Sequence, residues 1–343
     1  TGLVTLAPSM SVGQSHIAVE GLDEAVNVKV TSATTLDNVV LGLTGATGAA
    51  NSLSVEMTAT GAVGTHTLNL DVAGLETLTI ASKDTDGTSV DLAGMVPTTG
   101  STGTVNVTGA GALAITAMNT GINVIDASGA TGGLTIGAGA RDTDVYTITG
   151  GSGDDSIAME NLADVLDGGA GTADTLVVAH TAILGGISVD MGATDQLVSM
   201  DGGTNAAVQK NFEKVNLNAF INFGAVVTGS DNADTVSGTP VADNIKLGKG
   251  NDVLSIVNTA SAATDVVTGG AGVDTLHVQG LGANGVAKNV VDLTTLANGL
   301  IANVAAFDLS TGFENIDVRD AIEEWTLTGS TGDNVIYGSP GAD

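Results

Sequence analysis

The chain has 343 residues, of which 9 are Lys or Arg and 38 are Asp or Glu, for a formal charge of −29. An acidic surface of this kind excludes partners gripped through their phosphates, nucleic acid and anionic membrane alike. No run of about 18 apolar residues is present, so no transmembrane insertion as a helix is expected. Hydrophobic residues reach 43%, yet aromatics contribute only 2%, and glycine numbers 49. That glycine share is about twice the usual ~7%. The core must therefore be thin and built from Val, Leu, Ile and Ala, as in a repetitive β protein with many tight turns. The length allows about two domains or one long one. With no Cys, disulfide staples, Cys-ligated zinc and thiol nucleophiles are excluded. The surplus of carboxylates points instead to a hard cation as the staple.

The chain opens on Thr1 and stops at Asp343 inside a repeat, which reads as a piece of a longer or processed polypeptide. Residues 1–125 are rich in Thr, Val, Ala and Gly. Alternating runs at 53–58, 65–72, 75–80, 104–108 and 113–116 predict short strands separated by Gly, Asn or Asp. Pro8 and Pro97 are expected outside central strands. The one segment with any helical character is 291–303, rich in Leu and Ala.

From about residue 126 internal repeats dominate. Gly229-Ser-Asp-Asn-Ala-Asp234 is followed by Gly238-Thr-Pro-Val-Ala-Asp243 and then by Leu247-Gly248-Lys-Gly250-Asn-Asp252, which places aspartates nine apart. Asp265 and Asp274 are also nine apart, the latter ending Gly269-Gly-Ala-Gly272-Val-Asp274. The cleanest copy is Gly150-Gly-Ser-Gly153-Asp-Asp155, and Gly168-Gly-Ala-Gly171-Thr-Ala-Asp174 carries one extra residue. The last copies are Gly329-Ser-Thr-Gly-Asp333-Asn334 and Gly338-Ser-Pro-Gly-Ala-Asp343. A longer period of about 100 overlays the short one: Phe212-Glu213-Lys-Val-Asn-Leu217 returns as Phe313-Glu314-Asn-Ile-Asp-Val318, with an echo at Leu75-Glu76-Thr-Leu-Thr-Ile80. The resulting division is a β region at 1–125, a first repeat-containing module at 126–228, a second at 229–328, and the start of a further run at 329–343.

Nine residues of the form Gly-Gly-x-Gly-x-Asp-x-apolar-x suit a six-residue turn followed by a three-residue strand. Glycine permits positive φ and lets carbonyls turn inward. Asp supplies a hard anionic oxygen, and the apolar residue enters the core. One turn cannot complete a calcium shell of 6–8 oxygens, but stacked turns can share an ion between layers.

These copies resemble the glycine-rich nonapeptide repeats of RTX proteins. The resemblance implies a right-handed parallel β-solenoid or β-roll that binds several Ca²⁺ between turns, in a chain secreted by a type I system. Carried over position by position, it makes metal ligands of Asp155, Asp234, Asp243, Asp252, Asp274 and Asp343. Asp174 follows an insertion, Asp265 lacks its glycines, and Asp333 stands beside Asn334 as a substitute. Ser230 and Thr239 replace the second glycine, so irregular turns are expected there. The mixture of sparse nonapeptides with Thr/Val/Ala strands, as in Val124-Ile-Asp-Ala-Ser-Gly running on to Asp155, is similar to the calcium-dependent S-layer proteins of Gram-negative bacteria. That likeness implies an extracellular, cell-surface lattice held by lateral contacts between copies. Attachment to surface polysaccharide would go through a part outside this chain.

Other residues suggest less. His16, His66, His180 and His277 are scattered, with no spacing that supports a metal or a nucleophile triad. Arg141 and Arg319 are expected to neutralise nearby carboxylates. Glu76, Glu213 and Glu314 recur at one module position, as extra calcium ligands or as buried turn acceptors. Trp325 is expected to cap a local core. The expected protein is thus all-β, calcium-stapled, structural and not an enzyme. An RTX adhesin stalk is the alternative, and a β-helical polysaccharide-modifying enzyme is the third reading.

Overall fold

The computed structural model describes residues 3–6, 16–22, 27–32, 38–43, 50–59, 66–84, 86–140, 144–179, 185–220, 222–258, 265–280, 289–293, 299–300, 307–309, 312–321 and 325–340. Among them every regular element is a strand, and no helix is long and apolar enough to cross a membrane. Two compact units divide at Val177/Val178, inside the 126–228 module drawn from the repeat period.

In the first unit each coil of chain gives one strand to each of two sheets. One sheet takes Ser52–Ala59, Thr77–Ser82, Gly103–Gly109, Ile122–Ala130, Thr147–Thr149 and Val165–Asp167 in order, all parallel. The other takes His66–Ala73, Thr88–Val96, Leu113–Met118, Leu134–Ile136 and Ser156–Met159, again parallel. Leu3–Leu6 and Asn27–Ser32 precede the first set, and His16–Leu22 and Asn38–Leu43 the second. This is a parallel β-solenoid. Strand side chains alternate between faces, so each coil sends the same strand position inward. One column therefore runs Leu53, Leu78, Val105, Ile125, Ile148, Leu166, and a facing one runs Leu68, Val90, Ile115, Ile136, Ile157. All of these are buried. A column of aliphatic residues fills the narrow space between two sheets without rings, which accounts for the low aromatic content.

The second unit repeats the scheme. Lys214–Asn216, Thr235–Ser237, Val253–Asn258, Thr275–Gly280, Asn315–Asp317 and Ile336–Tyr337 form one parallel series. Ile187–Asp190, Ala225–Thr228, Asn244–Lys249, Asp265–Ala271 and Phe307–Leu309 form the other. Short irregular pieces are added: Leu197–Met200 and Gly203–Thr204 pair antiparallel at one edge, Gly299–Leu300 at the other, and Asn289–Asp292 pairs with Trp325–Thr328.

The five predicted strands of the first 125 residues are found within a few residues of the expected ends, and Pro97 falls just after Thr88–Val96. The helix expected at 291–303 is corrected: its described parts are strands, at Asn289–Asp292 and Gly299–Leu300. Parallel pairing to Trp325–Thr328 overrides the local Leu/Ala preference there.

Coil length decides how the nonapeptides stack. Thr147 pairs with Val165, Val226 with Asn244 and Thr235 with Val253, so these coils are two nonapeptides long, while the next, from Asn244 to Val266 and from Val253 to Thr275, take 22 residues. Consecutive copies therefore face opposite sides of the solenoid. The in-register neighbour of a repeat aspartate is a full coil away, not nine residues away.

Candidate metal centre

Each repeat aspartate stands at the entrance to an inward-facing strand. Asp155, Asp174, Asp234, Asp243, Asp252 and Asp274 immediately precede their strands, and Asp265 opens one. All seven are buried. Their carboxylates reach back to the preceding coil. Asp174 Oδ1 accepts the Asp155 N–H at 2.7 Å, Asp252 Oδ1 the Asp234 N–H at 2.9 Å, and Asp274 Oδ1 the Asp252 N–H at 2.9 Å. On the other side Asp265 Oδ1 accepts the Asp243 N–H at 2.8 Å, and Asp243 Oδ1 accepts the Ala225 N–H at 2.7 Å. Two columns result in the second unit, Asp234–Asp252–Asp274 and Asp243–Asp265. Asp174 keeps its place because the inserted residue is taken up in the turn, where Thr172 is exposed. Asp265 keeps its place without glycines because strand pairing to Asn244–Lys249 holds it.

The glycines make room for this stacking. A Cβ on Gly150, Gly171, Gly229, Gly248, Gly250, Gly269 or Gly272 would lie 1.5 to 2.6 Å from a backbone carbonyl oxygen of an adjacent coil, and one on Gly153 would lie 2.6 Å from the Gly132 carbonyl carbon. Gly168 is buried beneath Gly150, its carbonyl oxygen 2.1 Å from where that Cβ would stand. Where the second glycine is absent the turn gains a donor: Ser230 Oγ donates to Asp234 at 3.1 Å, and Thr239 Oγ1 donates to Asp243 at 2.7 Å. The irregularity expected at these turns is therefore a substitution of hydroxyl for space.

The second carboxylate oxygen separates the sites. Asp155, Asp234 and Asp243 each accept one further turn N–H on Oδ2, from Gly151, Ser230 and Thr239. Asp252 Oδ2 and Asp274 Oδ2 are buried without a hydrogen-bond partner. An orphaned, buried anionic oxygen is costly, and a divalent cation would satisfy it. Among the described residues no three carboxylate or imidazole side chains gather round one point. Calcium would therefore take the rest of its 6–8 oxygens from carbonyls and water. The donor set, all carboxylate and carbonyl oxygen, fits that ion.

Burial raises the pKa of every one of these groups for which a shift is resolved. It pushes Asp243 and Asp252 up to about 6 and Asp265 up to about 7, against donated hydrogen bonds that pull the other way. Asp155, Asp234 and Asp274 rise for the same reason, and neighbouring carboxylates add to the rise at Asp252 and Asp265. Folded pKa values above the ordinary 3.8 mean that the folded state holds more protons than the unfolded chain between that value and about 6 to 7. This stabilisation is fully present at low pH and is lost as pH rises through the folded pKa. Calcium-free protein is thus expected to melt at a higher temperature near pH 5 than near pH 8. Equal melting temperatures across that range in metal-free buffer would contradict it.

Four segments, 147–158, 228–255, 259–279 and 326–343, match the family model of the RTX calcium-binding nonapeptide repeat. The chain carries RTX calcium-binding repeats. No curated protein and no solved structure matches it. RTX repeats bind calcium and are typical of secreted proteins. Gly168, Gly171 and Asp174 lie outside the matched RTX segments but share the column geometry of those inside.

The structure also revises single positions. Asp333 is exposed, and Asn334 takes the column position instead, with Ser330 N–H and Oγ both donating to its Oδ1 at 2.9 Å. Asp343 lies outside the described residues. Asp164 was missed although it stands nine residues after Asp155. It is buried, and its Oδ1 accepts the Tyr146 N–H at 2.9 Å. Met159, Glu160 and Leu162, standing where the three glycines are usual, hid the copy, while the nine-residue register alone would have found it.

His277 stands between a hydroxyl and a carboxylate that share no spacing with it in the sequence. His277 Nδ1 lies 2.7 Å from Ser255 Oγ, and His277 Nε2 lies 2.9 Å from Asp320 Oδ2. Ser255 is 7% exposed, so its hydroxyl is covered, and the group bridges successive coils of a sheet. The side chains of His16, His66 and His180, and Arg141, are outside the described residues. Arg319 holds Asp317 through Nε and Nη2 at 3.0 and 2.6 Å and lies 4.2 Å over the Tyr337 ring. Trp325 is buried.

Proposed function

We propose that this chain is a structural, non-enzymatic part of an extracellular bacterial surface layer, assembled from copies of itself by calcium. The observation that carries this reading is the pair of buried carboxylate columns, in one of which Asp252 Oδ2 and Asp274 Oδ2 have no hydrogen-bond partner. The named ligands are Asp155, Asp174, Asp234, Asp243, Asp252, Asp265 and Asp274, with glycine carbonyls of the stacked turns. Nine basic residues over the whole chain supply no cationic groove for a uronate polymer. Stacked coils suit an RTX adhesin stalk equally well as building units, so assembly is the property to measure.

Assembly should need more calcium than folding. Copies carrying −29 each repel at short range. Ions filling the columns reduce that charge without bridging molecules, so exposed carboxylates must bind further ions before copies can touch. Circular dichroism and light scattering in one calcium titration should show folding first and assembly at a higher level. Electron microscopy at the higher level should show two-dimensional arrays. A folded protein that stays monomeric at every calcium level would select the stalk.

A further inference from the structure

Glu314 occupies the position where another nonapeptide turn would cover Asp274, and the first unit holds a replica of the arrangement with Asn51 in place of the aspartate. In the replica Gly74, at φ 78°, and Leu75 lead to Glu76. Glu76 Oε2 accepts the Asn51 N–H at 2.9 Å, while Glu76 N–H and Thr77 N–H donate to the Asn51 carbonyl at 3.2 and 3.0 Å. Asn51 Nδ2 donates to the Gly74 carbonyl at 2.5 Å and closes the loop. In the second unit Gly312, at φ 100°, and Phe313 lead to Glu314. Glu314 Oε2 accepts the Asp274 N–H at 2.8 Å, while Glu314 N–H and Asn315 N–H donate to the Asp274 carbonyl at 3.1 and 2.9 Å.

Glu76 Oε1 also accepts the Thr98 N–H at 3.0 Å, and the residue beneath the glutamate differs. Where Asn51 presents an amide N–H to Gly74, Asp274 presents a carboxylate. Asp274 is 0% exposed, and its Oδ2 has no hydrogen-bond partner. A Cβ on Gly269 would lie 2.0 Å from the Gly312 carbonyl oxygen and 2.8 Å from Asp274 Oδ2, so both acceptors press on the same point. As an anion, Asp274 can give that carbonyl nothing, and Glu314 adds a second negative group beside it. Two carboxylates and a carbonyl, with one oxygen buried and unsatisfied, form the oxygen set of a hard divalent cation.

We propose that a calcium ion is held by Asp274, the Gly312 carbonyl and Glu314, closing the Asp234–Asp252–Asp274 column with ligands from outside the repeats. Gly312 and Glu314 lie outside all four matched segments. The proposal rests on the calcium reading of the column. It makes the Glu that recurs as Glu76 and Glu314 a joint between coils: over Asn51 the joint is metal-free, and over Asp274 it takes an ion.

The test is calcium calorimetry on the full chain, its Glu314→Gln variant and its Asp274→Asn variant. Gln keeps an acceptor for the Asp274 N–H, so a purely structural Glu314 predicts unchanged calcium binding. The ligand role predicts one ion fewer, or one site weakened on the order of tenfold, with the other sites intact. Asp274→Asn recreates the Asn51 arrangement. It should bind fewer ions, yet in EDTA its Thr275–Gly280 and Asn315–Asp317 amides should exchange more slowly than those of the parent. A parent that binds calcium and a Glu314→Gln variant with the same stoichiometry and affinities overturn this site alone. A parent that binds no calcium overturns the column reading and this site with it.

Discussion

Removing calcium should unfold the coils that carry the nonapeptides and spare those that do not. Hydrogen exchange in EDTA should rise strongly across 147–178 and 225–280, and much less across 51–130. Circular dichroism should show a partial, not total, loss of β signal. The reason lies in how buried or crowded carboxylates are compensated. In the earlier coils the protein supplies its own cations and donors. Glu56 is held at about 2 by hydrogen bonds from Lys29 and Lys83, at 2.5 and 2.7 Å. Burial works to raise Glu76, but donors from Thr98 and Asn51 outweigh it and hold it below its ordinary value. In the repeat coils burial dominates and the carboxylates are raised. Each calcium at 100 times its dissociation constant contributes ~2.7 kcal/mol. Several such ions equal the whole stability of an ordinary domain, ~5–15 kcal/mol. Magnesium should rescue poorly, because it demands tight octahedral geometry and sheds water reluctantly. Uniform exchange with and without calcium would refute this division.

The second large effect concerns coupling between aspartates. Asp252→Ala should be the most damaging single substitution in the columns. It removes the acceptor of the Asp234 N–H and the middle carboxylate between Asp234 and Asp274. A buried N–H left without a partner costs about 1–3 kcal/mol before any ion is lost. In double-mutant cycles in calcium, Asp252→Ala with Asp274→Ala should depart from additivity by about 0.5–3 kcal/mol. Asp252→Ala with Asp243→Ala should add to within about 0.5 kcal/mol, because the two share no partner. Coupling of Asp252 to Asp243 as strong as to Asp274 would mean that copies nine residues apart stack directly, against the observed coil.

The aspartate positions, the glycine turns and most early strands were legible in the sequence because each is a local requirement. A turn that must admit a neighbouring carbonyl needs glycine within itself, and Leu78 and Ile80 declare an inward face by alternation alone. What the chain could not declare locally was which turns meet. That depends on the length of a coil, and the coil is two nonapeptides from Thr235 to Val253, 22 residues from Val253 to Thr275, and longer still from Thr275 to Asn315. Only the folded coil put Asp252 with Asp234 rather than Asp243, brought Glu314 over Asp274 from 40 residues away, and chose Asn334 over Asp333 for the column. It also set His277 between Ser255 and Asp320, three residues with no recognisable spacing. In a solenoid the repeat unit dictates its own conformation, while stacking partners follow from the summed length of everything between them. That sum has no signature at any single position.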